Sequence, residues 1–134
     1  TEIYTLSLHD ALPIWWNVDL VVLAGYMKRV GPAMLEAFGG RIINIHPALL
    51  PRFGGEGMYG MRVHEAVIAA HETESGPTVH LVDDKYDHGR ILAQKKVPVL
   101  PDDTPETLQK RVLAVEHVLL PETIRNLAES WGND

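Results

Sequence analysis

Two side chains in the stretch RIINIHPALLPRF, residues 41–53, are spaced for chemistry. Asn44 and His46 stand one residue apart, after the β-branched pair Ile42-Ile43 and directly before Pro47. The pre-proline position holds His46 extended, and in an extended chain residues two apart share a face. An amide NH2 and an imidazolium N–H are both donors. Together they could converge on one small group and stabilise an oxyanion developing on a carbonyl. The same spacing fits a strand end capped by two satisfied polar groups, and spacing alone does not separate the two readings. A second candidate is DDKYDHG, residues 83–89, where Asp87 lies in a loop two residues before a glycine. A carboxylate beside a histidine raises the imidazole pKa and orients the ring; the competing reading is a solvated acidic turn. Of the remaining histidines, His80 reads as a strand residue with a half-buried structural role, and His64 and His71 read as helix-surface residues. The seven histidines contain no H-x-H or H-x-x-x-H pair and the chain has no cysteine, so no metal site is expected.

The elements that must position these residues follow from apolar patterning. VDLVVLAG, residues 18–25, is a continuous apolar run ended by glycine, the pattern of a strand covered on both faces of a parallel sheet. Pro32 suits a first helical turn, PAMLEAF is helical in composition, and Gly39-Gly40 stops it. RIINIH is the next strand, and strand–helix–strand order implies a right-handed parallel crossover. Asn44 and His46 then lie at a strand's carboxyl end, where open α/β sheets bind ligands. A glycine-rich loop, RFGGEGMYG, leads to MRVHEAVIAAHE, whose apolar Val63, Ala66, Val67 and Ala70 have helical spacing. PTVHLVDD reads as a strand, YDHG as a loop, and RILAQKKVPV as one further strand with Pro98 at an edge or end. A long helix closes the chain from a cap region at Thr104-Pro105, and Pro121 is expected to kink or divide it.

Composition narrows the classes of function. The chain has 134 residues, a formal charge of −6 and 46% hydrophobic residues, which suits one domain or part of one with a real core. An acidic balance argues against a nucleic-acid partner. No apolar run approaches the ~20 residues that span a bilayer, so no membrane partner is expected and the reading is a cytoplasmic protein. The opening, TEIYTLSLHDALPI, lacks a clear period and resembles read-through of sequencing-adapter DNA. Residues 1–14 are therefore expected to be extraneous to the fold.

Four segments carry a resemblance. GYMKRV at 25–30, NIHPALLPRF at 44–53, ESGPTVHLVDDKYDHG at 74–89 and VEHVLLPE at 115–122 resemble, in order, the C-terminal half of the phosphoribosylglycinamide formyltransferase family, folate-dependent enzymes of purine synthesis. The resemblance implies a partial Rossmann-like α/β fold, with a mostly parallel sheet, flanking helices and a long C-terminal helix. It makes residues 15–134 the C-terminal part of a single formyltransferase domain. It implies transfer of a formyl group from 10-formyltetrahydrofolate, a cosubstrate, to the amine of glycinamide ribonucleotide, without a metal. Asn44 would contact the formyl group, His46 would be the catalytic histidine, and Asp87 would raise its pKa and help move protons through water. Met27, Lys28, Arg29 and Val30 would bind the pterin, with Asp83, Asp84 and Asp87 on the opposite wall of its pocket. Pro47 would lie near the substrate amine and Glu116 would bind the ribose hydroxyls.

There are departures. Leu81 stands where the family usually has an aromatic residue or valine. The family's glycine-rich strand–loop–helix for the substrate phosphate is not found in this sequence, so the N-terminal phosphate-binding half is expected to be missing. Missing strands would leave an open sheet edge, which favours self-association. Related folate enzymes share the Asn and His: a formyltetrahydrofolate deformylase usually has His after the catalytic histidine and the methionyl-tRNA enzyme Gly, whereas Pro47 resembles the glycinamide enzyme. A truncated, inactive fragment that binds folate weakly is the reading from another class.

Overall fold

Leu20–Leu23 (β2) is the buried strand expected within VDLVVLAG, and its alternate side chains serve two cores. Val21 and Leu23 pack with Val30, Met34, Phe38 and Ile42 on one face. Leu20 and Val22 pack with Ile43, Val79 and Leu119 on the other. A strand covered on both faces has no solvent side on which to place polar residues. The computed structural model describes residues 3–6, 19–23 and 30–132. Helix α1 (Pro32–Phe38) begins on its proline, as expected. Gly40 follows with φ +77, a conformation that any side chain would strain. Strand β3 (Ile42–His46) then returns parallel to β2, with Val21 opposite Ile42 and Leu23 opposite Asn44.

Beyond β3 the direction reverses. After helix α2 (Met61–Ala69) and the short strand β4 (Glu74–Ser75), strand β5 (Thr78–Leu81) lies antiparallel on β3. Strand β6 (Ile91–Gln94) lies antiparallel on β5. The far edge of β2 carries β1 (Ile3–Leu6), paired in parallel. The five-stranded order is β1-β2-β3-β5-β6, so parallel pairing holds on the β1-β2-β3 side and antiparallel pairing on the other. The sequence showed no strand period at residues 3–6. An open edge needs only extended backbone to pair with, and Ile3 remains 43% exposed there.

Three expectations are corrected. RILAQKKVPV is not one strand: β6 ends at Gln94, and β7 (Val97–Pro98) pairs antiparallel with β4 in a separate ribbon. The cause is a backbone crossing at Gly76, where a Cβ would sit 1.8 Å from the Lys95 carbonyl oxygen. There Lys95 N–H donates to the Pro77 carbonyl at 3.2 Å. Of the two outcomes expected at Pro121, a kink or a division, the division does not occur: the last helix runs as α3 from Pro105 to Gly132. Leu119 and Leu120 before the proline and Ile124, Leu127 and Trp131 after it pack in the same core, outweighing a local cost of ~3 kcal/mol. His64 is not a helix-surface residue: it is 2% exposed, because it follows Val63 on the inner side of α2. His71 lies past the end of α2 and is exposed.

The start of α3 is capped reciprocally. Thr107 N–H donates to Thr104 Oγ1 at 3.2 Å, and Thr104 N–H donates to Thr107 Oγ1 at 2.9 Å. A threonine thus does what glutamate does in a capping box. Arg111 grips Asp103 with two hydrogen bonds of 2.7 and 3.0 Å, and this holds the Asp103 carboxyl well below the usual carboxylate range. Behind the cap, Leu108 and Val112 join Val67 and Val97 in a third cluster that ties α2, α3 and β7 together. Leu108 is fully buried. Leu108→Ala is therefore expected to cost about 2–5 kcal/mol, read as a lowered midpoint of chemical denaturation.

Candidate active site

The carboxyl end of β3 and the 81–89 loop meet around one imidazole. His46 is 3% exposed, and its two ring nitrogens face acceptors on opposite sides. Nε2–H donates to the Phe53 carbonyl at 2.7 Å, and Nδ1 lies 3.4 Å from Asp87 Oδ1. Asp87 Oδ2 in turn accepts from the Gly55 amide at 3.0 Å. Phe53 and Asp87 both have positive φ, 59 and 52 degrees. The two groups that hold His46 thus sit on strained backbone, a feature that concentrates at functional sites. A Cβ on Gly54 would lie 2.5 Å from Leu50 Cδ2 and 3.0 Å from the Asp87 Cβ, so a side chain there would displace Leu50 and press on Asp87.

The second side chain on this face, Asn44, is half-buried and directs Nδ2 at His80 Nε2, 3.4 Å away. His80 Nε2 is also 3.7 Å from Asp87 Oδ1. His80 Nδ1–H donates to the Leu81 carbonyl at 2.9 Å. Thr78 braces the segment after Pro47: its Oγ1 donates to the Ala48 carbonyl at 2.7 Å and accepts from the Leu50 amide at 3.1 Å.

Burial governs the electrostatics. It lowers the His46 pKa below its ordinary value, against the opposing pull of Asp87 and the Phe53 carbonyl, with His80 adding to the depression. Asp87 therefore acts on His46 in the expected direction without prevailing. Burial pushes the Asp87 carboxyl up, yet His80 and His46, when protonated, and the Gly55 amide draw it below the usual carboxylate range. The result is a neutral ring flanked by two acceptors, ready to take a proton when negative charge grows beside it. Glu116, half-buried on α3, is pushed up to about 7 by burial.

A cavity of about 330 Å³ opens between these groups, lined by Asn44, His46, Pro47, His80, Asp87 and Glu116. Val30 and Asp83 also line it, whereas Asp84 is exposed and does not. Met27, Lys28 and Arg29 lie outside the described residues. Among the described residues, no three histidine, aspartate or glutamate side chains converge to hold a metal ion, and no helix is long and apolar enough to cross a membrane.

Comparison with known proteins decides the family. A profile described as formyl transferase matches residues 11–124. The chain belongs to the formyl transferase family. A chloroplastic phosphoribosylglycinamide formyltransferase of Vigna unguiculata is 53% identical over 122 residues, covering 89% of this chain and 39% of its own. The solved structure of glycinamide ribonucleotide transformylase 1 from Symbiobacterium toebii aligns with a TM-score of 0.78 at 47% identity, over 84% of this chain and 51% of that one. A formyltetrahydrofolate deformylase from Pseudomonas syringae aligns with a TM-score of 0.75 at 29% identity, over 84% and 36%. The chain thus spans about half the length of the relatives it matches, or less.

Within this formyl transferase fold, the structure brings Asn44, His46, Asp87, Pro47 and Glu116 to one cavity, from three separate parts of the chain. Sequence reasoning missed three contributors: the His80 ring, the Phe53 carbonyl and the Gly55 amide. Backbone groups leave no signature in residue type. His80 had one available signal, a polar residue between Val79 and Leu81 on a buried strand, but its partner Asn44 is set by strand register.

His64 adds a pH dependence. Its Nδ1 is buried without a hydrogen-bond partner, and burial, then the charge of His46, lowers its pKa from 6.5. With His46 and His64 both depressed, unfolding releases rings that bind protons more readily. Stability is then fully present above the unfolded value near 6.5 and is lost as pH falls through it. The denaturation midpoint is expected to drop between about pH 7 and about pH 5, and His64→Leu is expected to flatten that drop. A leucine variant with an unchanged pH profile would contradict this.

Proposed function

We propose that this chain supplies the catalytic half of a phosphoribosylglycinamide formyltransferase. The reaction moves a formyl group from 10-formyltetrahydrofolate to the amine of glycinamide ribonucleotide, in the cytoplasm, with small molecules as its only substrates. One observation carries the reading: Asn44, His46 and Asp87 share a cavity, with His46 and Asp87 3.4 Å apart, inside the ~4–6 Å over which one charge tunes another. The attacking amine forms a bond to the formyl carbon and the carbonyl electrons move onto oxygen. Asn44 donates to that oxygen. The proton that the amine sheds passes through water, relayed by Asp87, to the bare Nδ1 of His46, and the imidazolium places positive charge beside the oxyanion. Asp87 keeps that ring in place. Collapse of the tetrahedral species breaks the bond to the folate nitrogen, which takes the same proton back by that route as it leaves. Val30, Asp83 and Glu116 line the cavity, and we assign the first two to the folate and Glu116 to the ribose hydroxyls.

Water in place of the amine would make the same site a deformylase, and the Pseudomonas relative favours keeping that reading. Pro47 after the histidine argues for the transferase. The test is a chimera in which residues 18–132 replace the matching half of the Symbiobacterium enzyme. Release of tetrahydrofolate only when glycinamide ribonucleotide is present supports the transferase. Release without it supports the hydrolase, and a folded chimera that does neither rejects the proposal.

A further inference from the structure

The contacts of His80 define a task that is separate from those of Asn44, His46 and Asp87. We propose that His80 is a positioning residue for Asn44: the Leu81 carbonyl keeps its proton on Nδ1, and its bare Nε2 fixes the Asn44 carboxamide so that an N–H, not the oxygen, faces the carbonyl under attack. The proposal rests on the formyl-transfer reading of the site.

Three observations carry it. First, Asn44 and His80 are direct partners across the β3–β5 ladder, where facing side chains are within reach. The pairing of β5 with β6 is irregular between Val79 and His80, and such bulges re-aim side chains beside active sites. Second, the shortest contact of the His80 ring, 2.9 Å from Nδ1 to the Leu81 carbonyl, is to a group that can only accept. Nδ1 must therefore carry a proton, and the neutral ring presents a lone pair at Nε2. Gly89 helps keep that carbonyl in place: a Cβ there would stand 1.8 Å from the Leu81 oxygen. Third, Asn44 Nδ2 is the neighbour of that lone pair, at 3.4 Å, while Asp87 Oδ1 lies beyond hydrogen-bond length at 3.7 Å.

A carboxamide turned by 180 degrees about its last bond has nearly the same shape. Only its partners decide which end faces where. With oxygen toward His80, two lone pairs would meet at a ring that is only 2% exposed, which is unfavourable. With nitrogen there, one hydrogen is spent on His80 and the other stays free for an oxyanion in the cavity. A flipped amide would present its own oxygen to that oxyanion and repel it.

Nitrogen-15 spectra of the side chains in the 134-residue chain at neutral pH test the tautomer without any ligand. The expected result is a protonated Nδ1 and a bare Nε2 on His80, with the Asn44 NH2 signals displaced by His80→Leu. A proton on Nε2, as a donor to Asp87 would need, overturns the proposal. The second readout is the formyl stretching band of bound 10-formyl-5,8-dideazafolate. It is expected to lie at lower frequency in the unaltered chain than in water, to lose that shift in His80→Leu with little change in affinity, and to regain it in His80→Gln, whose amide oxygen can accept from Asn44. Equal band positions in all three proteins also overturn it. If the unaltered chain fails to bind the folate, the donor reading fails, and the tautomer spectra alone decide the role of His80.

Discussion

His46→Ala, introduced into the chimera with the Symbiobacterium half, is expected to lower kcat for formyl transfer by about 10²–10⁴ and to change the affinity for folate little. The expectation follows from what surrounds the ring. His46 has an acceptor on each nitrogen, the Phe53 carbonyl and the Asp87 carboxylate, so the site is shaped for an imidazolium. Burial nevertheless keeps it neutral in the resting protein. The protonated ring is therefore favoured only when a compensating negative charge appears, and in the proposed reaction that charge is the oxyanion. An interaction that strengthens between ground state and transition state appears in kcat rather than in KM. Stopped-flow or steady-state measurement of folate release separates the two parameters. A variant with unchanged kcat and a raised KM for folate would show that His46 merely shapes the pocket.

The same residues show where sequence reasoning stops. β2 and β3 were legible because a strand buried on both faces leaves an uninterrupted apolar run, and Asn44 and His46 were legible because they break such a run at its end. Asp87 could be singled out within its loop, but its nearness to His46 depends on how the loop after β5 folds back. A lone polar residue on a strand is structural more often than not, so residue type alone leaves His80 in that role, and only the register opposite Asn44 reveals more. The helical stripe Val63, Ala66, Val67 and Ala70 leaves the side of His64 undecided; packing, not periodicity, buries it. The break after Gln94 could not be read from the Lys95–Lys96 pair, because its cause is Gly76, nearly twenty residues earlier in the chain.

The 134 residues alone are expected not to turn over glycinamide ribonucleotide at a useful rate. Asn44, His46 and Asp87 are gathered, but from Trp15 onward the sequence contains no glycine-rich strand–loop–helix of the kind that cradles a phosphate. The loop with Gly54, Gly55, Gly57 and Gly60 does precede α2, yet Gly54 packs on Leu50 and Asp87, and Gly55 spends its amide on Asp87. Those groups are committed to holding His46, not a ligand. Without a hold on the distant phosphate, the amine reaches the formyl carbon by chance encounter. Positioning of this kind can supply ~7–11 kcal/mol of a barrier, so its loss can outweigh everything that Asn44, His46 and Asp87 contribute. The measurement is purified chain with saturating 10-formyltetrahydrofolate and glycinamide ribonucleotide, followed spectroscopically for loss of the formyl group, alongside the chimera as positive control. Turnover by the chain close to that of the chimera would show that phosphate binding is dispensable, and would place the whole catalytic advantage in the cavity between β3, the 81–89 loop and α3.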